Sequence, residues 1–261
     1  ILARDGKKMS KRLKNYPDPN EMLDQYGADA LRAYLIDSPV VRAEELRFDE
    51  AGLKEIVRTV VLPYWNVLSF FTTYASVDGY DPRSWKPSPV AARPDIDRWI
   101  LSVMQSLVRD VNREMEAYRL YTVVPRLVGF IEDLTNWYVR RSRARFWKSE
   151  DDADKTNAFA TLYEVLTTFS KVLAPFMPFL TEAVHQRLVR PVDPAAPASV
   201  HWCDYPQVDA SLIDEALERR MATVRAVAAL GRRVREDHRI KVRQPLRSLT
   251  VVHRDPVVRA D

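Results

Sequence analysis

A single cysteine, Cys203, occurs in 261 residues. That excludes an internal disulfide and any zinc site built from several cysteines; packing as a small hydrophobe is its expected role. Glycine is scarce, 6 residues against 17 prolines, which argues against a glycine-rich nucleotide fold within this stretch. Long apolar runs are missing too. The longest, Lys171 to Leu180, is short and broken by Pro175 and Pro178, so it cannot span a bilayer. No secretory or transit segment opens the chain, and a cytoplasmic location is expected. The start at Ile1 rather than at a methionine suggests a piece of a longer protein. His185, His201, His238 and His253 show no metal-ligand spacing, and no metal site is expected. There is no nucleophile elbow, no His-Glu-x-x-His and no phosphate-binding glycine loop.

What is present describes an ordinary protein with a core: 46% hydrophobic and 29% charged residues. The length allows one large or two modest domains. A net charge of +4 permits an anionic partner without requiring one. The charge is concentrated. Asp5-Gly6-Lys7-Lys8-Met9-Ser10-Lys11-Arg12 is too basic and polar for a core element, and its composition suits gripping a polyphosphate.

The rest reads as helices. Pro19 should open one, with Asp18 as its cap. A second runs through Ala30 to Leu35 and stops before Pro39. Leu46 to Asp49 reads as extended. A long helix from Asp49 to Tyr74 should kink or break at Pro63. The Pro-rich stretch from Ser76 to Pro94 is the best internal boundary. Ile96, Trp99, Ile100, Val103, Met104, Leu107, Val111 and Met115 then fall at helical spacing, which leaves Asp97 on another face. Further helices span Tyr121 to Trp147, Asp154 to Val172, Met177 to Val189 and Ser211 to Asp237. Val200 to Trp202 is expected to be extended, and Leu246 to His253 to be a strand. The expected fold is mainly α: an antiparallel helical bundle, a short region before it, and a small α+β piece at the C-terminus. The expected divisions are residues 1–48, 49–205 and 206–261.

Two more basic clusters stand out. In the Tyr121–Trp147 helix, Leu127, Ile131, Leu134 and Tyr138 form an apolar stripe. Continued by helical steps, it lands on Arg141 and Arg145. Arg140, Arg141, Arg143, Arg145 and Lys148 either pair with carboxylates at the end of the bundle or meet phosphate. Arginine beside aromatic residues suits RNA, because guanidinium groups bind phosphate in a bidentate way and stack on bases. Trp137 and Trp147 fit core packing better than base stacking. The second cluster, with Arg232, Arg233 and Arg235, ends the last helix, where some cations simply favour the helix dipole.

Lys8-Met9-Ser10-Lys11 resembles the Lys-Met-Ser-Lys-Ser signature of class I aminoacyl-tRNA synthetases, with Arg12 in the last place. The stretches Leu13-Lys14-Asn15-Tyr16-Pro17, Tyr26-Gly27-Ala28-Asp29, Asn136-Trp137-Tyr138-Val139-Arg140-Arg141-Ser142-Arg143, Pro175-Phe176-Met177-Pro178-Phe179 and Ile240-Lys241-Val242-Arg243-Gln244-Pro245-Leu246 follow in the order found in isoleucyl-tRNA synthetases. Ser38-Pro39-Val40-Val41-Arg42-Ala43-Glu44 looks like the eukaryote-like branch. The resemblance implies that Lys8, Met9, Ser10, Lys11 and Arg12 close over ATP, with Mg2+ in the whole enzyme, and that Lys11 stabilises the transferring phosphates. It implies tRNA(Ile) as partner, isoleucine as substrate of the missing half, a stem-contact region after the loop, and a monomer. Residues 49–205 would be the anticodon-binding bundle, with Arg140, Arg141, Arg143, Arg145, Lys148, Arg232, Arg233 and Arg235 facing tRNA. No zinc site is expected here, although some family members carry one toward the C-terminus. A valyl-tRNA synthetase and a non-catalytic helical RNA-binding module are the alternatives.

Overall fold

The computed structural model describes residues 1–147, 152–252 and 254. Helix α1, Pro19–Tyr26, opens as expected: the Asp18 carboxylate accepts from the Asn20 N–H at 2.7 Å. Gly27, at φ 81°, turns the chain into α2, Ala28–Ile36. The expected extended piece pairs back to the start of the chain. The Leu2 N–H donates to the Leu46 carbonyl at 2.7 Å and the Phe48 N–H to the Leu2 carbonyl at 2.9 Å.

Helices α3, Glu50–Ile56, and α4, Leu62–Asp78, run on through a π-helical turn at Val57–Val61. The wider turn lies just ahead of Pro63, which has no N–H to give to the preceding turn, so the helix is locally rewound rather than broken. Gly79, at φ 63°, ends α4. The Pro-rich connection that follows is not a boundary. The Tyr80 ring stacks on Phe159 at 5.0 Å, the Ser88 N–H donates to Asn157 at 2.8 Å, and buried Arg93 donates to the Thr161 hydroxyl at 3.0 Å.

Helix α5, Asp95–Glu116, runs through the centre of the core. Trp99, Ile100, Met104 and Val111 are buried as their spacing requires, but so are Leu101 and Val108 on its other side. It packs between α6, Val123–Glu132, and α8, Asp152–Leu173. Full burial of each such side chain contributes about 1.5–3 kcal/mol. Aromatic edges join the layers, with Tyr64 on Phe169 at 5.2 Å and Phe146 on Phe159 at 4.9 Å. Helix α6 continues through a π-helical stretch, Asp133–Val139, into α7, Arg140–Trp147. Helix α9, Pro178–Leu188, follows α8, and α10, Glu215–Asp237, lies across α5.

Two expected extended pieces differ. Val200–Trp202 forms one 3-10 turn, opened by the Ser199 hydroxyl, which accepts from the His201 N–H at 3.2 Å. Among the described residues, 246–252 find no strand partner, so their alternating pattern makes no sheet there, and His253 lies outside the described residues. A strand needs a neighbour for its backbone groups. Among the described residues, isolated bridges from Leu2 to Lys8 and to Arg47 are the β pairing present.

Candidate nucleic-acid interface

The N-terminal loop is a tight double turn. The Ala3 N–H donates to the Lys7 carbonyl at 2.9 Å and the Gly6 N–H to the Ala3 carbonyl at 2.8 Å. Gly6, at φ 79°, lies against the Arg47 guanidinium, where a Cβ would meet it at 3.3 Å. Asn15 then clamps the signature residues: its Oδ1 accepts from the Ser10 N–H at 2.9 Å, and its Nδ2 donates to the Lys8 carbonyl at 3.1 Å. Met9 lies in an open apolar pocket of about 180 Å³ with Tyr16, Met22, Leu35 and Phe48. The backbone and Met9 are thus held while Lys8, Lys11 and Arg12 project into solvent, free of ion pairs among the described residues. Lys7 stands apart, 3.8 Å from Asp5. A fixed loop with free cations fits a polyphosphate. It offers Mg2+ no set of carboxylates, so the ion would have to be held by phosphate oxygens and groups outside the loop.

The arginine-rich helix divides. The π-helical stretch delays its rotation by about one residue. The buried stripe therefore passes from Leu134 and Tyr138 to Ser142 and Phe146, not to Arg141. Arg140, Arg141 and Arg143 are exposed and have no carboxylate partner among the described residues. The Arg141 guanidinium lies 5.8 Å from the Trp137 ring and that of Arg143 5.8 Å from the Phe70 ring.

Arg145 does the opposite. Its side chain is only 15% exposed and Asp97 is fully buried. It donates to both Asp97 oxygens at 2.7 and 2.8 Å, and its Nε donates to Asp154 at 2.9 Å. The Tyr138 hydroxyl donates to Asp97 at 3.0 Å. Burial alone would pull the Arg145 pKa down; the hydrogen bonds to Asp97 and Asp154 outweigh it and hold the pKa above its ordinary value. Burial pushes the Tyr138 hydroxyl well up, and the Asp97 charge adds to that. Of the two roles open to this arginine, the geometry gives it the ion pair. Asp97, expected on a polar face, is its buried counter-ion. Lys148 lies outside the described residues.

In α10, Arg232 and Arg233 are exposed and unpaired among the described residues. Arg235 is occupied: it donates to the carbonyls of Lys241 at 3.0 Å and Gln244 at 2.9 Å, closing the chain behind the helix. Sequence reasoning missed Arg225. Its guanidinium pairs with Asp133 and lies 5.5 Å from the Trp137 ring and 5.9 Å from the Trp99 ring. Trp137 therefore has Arg225 of α10 and Arg141 of α7 as neighbours, so α10 docks directly beside the exposed arginines. Trp147 is half exposed and 5.9 Å from Tyr74, less buried than core packing would make it.

Residues 97–251 match the family described as the anticodon-binding domain of tRNA ligase. Residues 1–47 match tRNA synthetases class I (I, L, M and V). The chain is 52% identical over 252 residues to the isoleucine–tRNA ligase of Chlamydia pneumoniae, covering 97% of this chain and 24% of that protein. It is 51% identical over the same length to that of Chlamydia trachomatis serovar D, again 97% and 24%. The chain thus spans about a quarter of the length of these curated relatives. Both are bacterial and lend no support to the eukaryote-like branch. Among solved structures, a LeuRS–tRNA–LeuAMS ternary complex from Agrobacterium radiobacter K84 aligns with a TM-score of 0.55 at 17% identity, over 82% of this chain and 24% of that one. Methionyl-tRNA synthetase of Mycobacterium tuberculosis, in complex with methionyl-adenylate, aligns with a TM-score of 0.55 at 21% identity, over 78% and 42%. These two likenesses concern the fold. The helical bundle, its free arginines and the sequence match over residues 97–251 agree: the chain belongs to the anticodon-binding domain family of tRNA ligases.

Proposed function

We propose that this chain is the ATP-loop and tRNA-binding portion of an isoleucine–tRNA ligase, the enzyme that joins isoleucine to tRNA(Ile) with release of AMP and diphosphate. The observation that carries the reading is the continuous likeness, about half the residues identical over 97% of the chain, to isoleucine–tRNA ligases. In this reading the free Lys8, Lys11 and Arg12 meet the phosphates of ATP. Negative charge grows on the pyrophosphate as the amino acid carboxylate attacks, and Lys11 lowers the barrier by meeting that charge. Arg140, Arg141, Arg143, Arg232 and Arg233 meet the tRNA backbone. Arg145 is left out, because Asp97 and Asp154 hold its guanidinium, and Arg235 because its Nη1 holds the carbonyls of Lys241 and Gln244. The whole enzyme works as a monomer in the cytoplasm.

Binding of tRNA(Ile) and tRNA(Val) transcripts to the full-length protein at one fixed salt concentration tests the specificity, since phosphate contacts make affinity steeply salt-dependent. Preference for the isoleucine transcript is expected; equal binding would overturn the isoleucine specificity, and preference for the valine transcript would return the valine enzyme as the better reading. Isoleucine-dependent exchange of pyrophosphate into ATP separates the ligase from a non-catalytic RNA-binding module, which would show none.

A further inference from the structure

The first residues form a narrow ribbon of three backbone segments. Leu2 pairs with Lys8 on one side and with Arg47 on the other. The Leu2 N–H donates to the Leu46 carbonyl, the Leu2 carbonyl accepts from the Phe48 N–H, and the Ala3 N–H donates to the Lys7 carbonyl. Paired residues point to one face of such a ribbon and their neighbours to the other. The inner face is accordingly apolar: Ala3 and Leu46 are buried, and Ile1, Met9 and Phe48 line one pocket. The outer face carries Leu2 with Lys8 and Arg47 at its two sides, both exposed. A strand spacing of about 4.8 Å sets the two cations about 10 Å apart at the backbone, a gap their long side chains can close around one anion.

Arg47 is held in place but not occupied. Its guanidinium lies over Gly6, whose missing side chain leaves the room: a Cβ there would sit 3.3 Å from both Cζ and Nε of Arg47. Yet among the described residues Arg47 has no ion pair and no side-chain hydrogen bond. Three cations around it are engaged: Arg4 with Asp49 at 3.4 Å, Arg42 with Glu44 at 3.0 Å and Lys7 with Asp5 at 3.8 Å. A guanidinium positioned by its backbone and by packing, with its donors open, fits phosphate oxygens. We propose that Arg47 is a phosphate-binding residue that, with Lys8 on the same face, grips the polyphosphate of ATP. The proposal rests on the ATP-loop reading and adds to the loop a cation from outside its signature, brought in by backbone pairing. The grip on the nucleotide then depends on the fit of Leu2 against residues 46–48 as well as on the loop itself.

The test measures isoleucine-dependent pyrophosphate exchange and tRNA(Ile) binding by the full-length protein. Arg47→Ala should raise the KM for ATP by roughly tenfold, the loss of one charge-assisted contact. The KM for isoleucine, the affinity for tRNA(Ile) and the melting temperature should stay put, since the side chain is exposed. Arg47→Lys keeps the charge and should recover part of the ATP affinity. A KM for ATP in Arg47→Ala equal to that of the wild type overturns the proposal. If tRNA affinity falls instead, with the salt slope reduced by about one, the anion Arg47 holds is an RNA phosphate and not ATP. A lowered melting temperature with equal losses for ATP and isoleucine would mark a structural role and also overturn it. If the wild-type protein shows no exchange at all, the ligase reading itself falls, and the role of Arg47 with it.

Discussion

Asp29 of α2 caps a helix 151 positions away: its carboxylate accepts from the Leu180 N–H at 2.6 Å and from that of Phe179 at 3.3 Å. The free N–H groups at the start of α9 are thereby satisfied by the segment that follows the basic N-terminal loop. Arg32 of the same helix donates to the Pro175 carbonyl at 2.9 Å. The two contacts fasten the N-terminal segment to the bundle, so the position of the loop relative to the arginine face is set by α2.

Asp29→Ala should therefore destabilise the chain by about 1–2 kcal/mol, the cost of a lost cap. Burial pushes the Asp29 carboxyl above its ordinary range, against the two N–H groups and Arg32, which pull it down. The folded state then holds the proton more tightly than the unfolded state, so Asp29 subtracts stability as pH rises through the window above the ordinary carboxylate value. Asp29→Asn keeps an acceptor and sheds the buried charge, so it should cost less than Asp29→Ala and remove that pH slope. Urea unfolding midpoints between pH 4 and 7 would check both.

Glu114 gives the opposite slope. Arg119, then Arg113 and Thr122, bond its carboxylate and lower its pKa from 4.5 to about 2, although burial works against them. Stability from this group is fully present above its unfolded value and is lost as pH falls toward 2. Glu114→Gln should lower the melting temperature at pH 7, and its deficit against the wild type should shrink as the pH is lowered through that window. A constant deficit would mean that the charge on Glu114 contributes nothing.

Arg141 and Arg145 are one helical turn apart and should behave as different kinds of residue. Arg145→Ala leaves Asp97 charged, buried and without its counter-ion, a change that costs about 3–5 kcal/mol. Arg141→Ala removes an exposed side chain, so its melting temperature should not move while its affinity for tRNA(Ile) falls. Calorimetry and a binding titration on the same two variants separate the roles.

The sequence left both roles open for each of these arginines. Helical periodicity and caps place most of the helices, because Asp18, Pro19 and the α5 spacing are local signals. A regular 3.6-residue helix carries the buried stripe onto Arg141, whereas the π-helical turn moves it to Ser142 and Phe146, and nothing in the residue pattern marks such a turn. The partners of Arg145 lie 48 and 9 positions away, and the Asp29 cap spans 151. Those pairings exist only once α2, α5, α7, α8 and α9 are packed. The N-terminal loop was the easier case: its free cations are a local composition, and the Asn15 clamp is only five residues from Ser10.

The central claim is that the free cations of the N-terminal loop act on ATP in an isoleucine–tRNA ligase. Single-turnover formation of isoleucyl-adenylate by the full-length protein, wild type against Lys11→Ala, tests it most directly. Loss of one preorganised group facing the developing charge predicts a rate lower by roughly a hundredfold or more, with isoleucine affinity unchanged. An adenylate rate equal to that of the wild type would contradict the account.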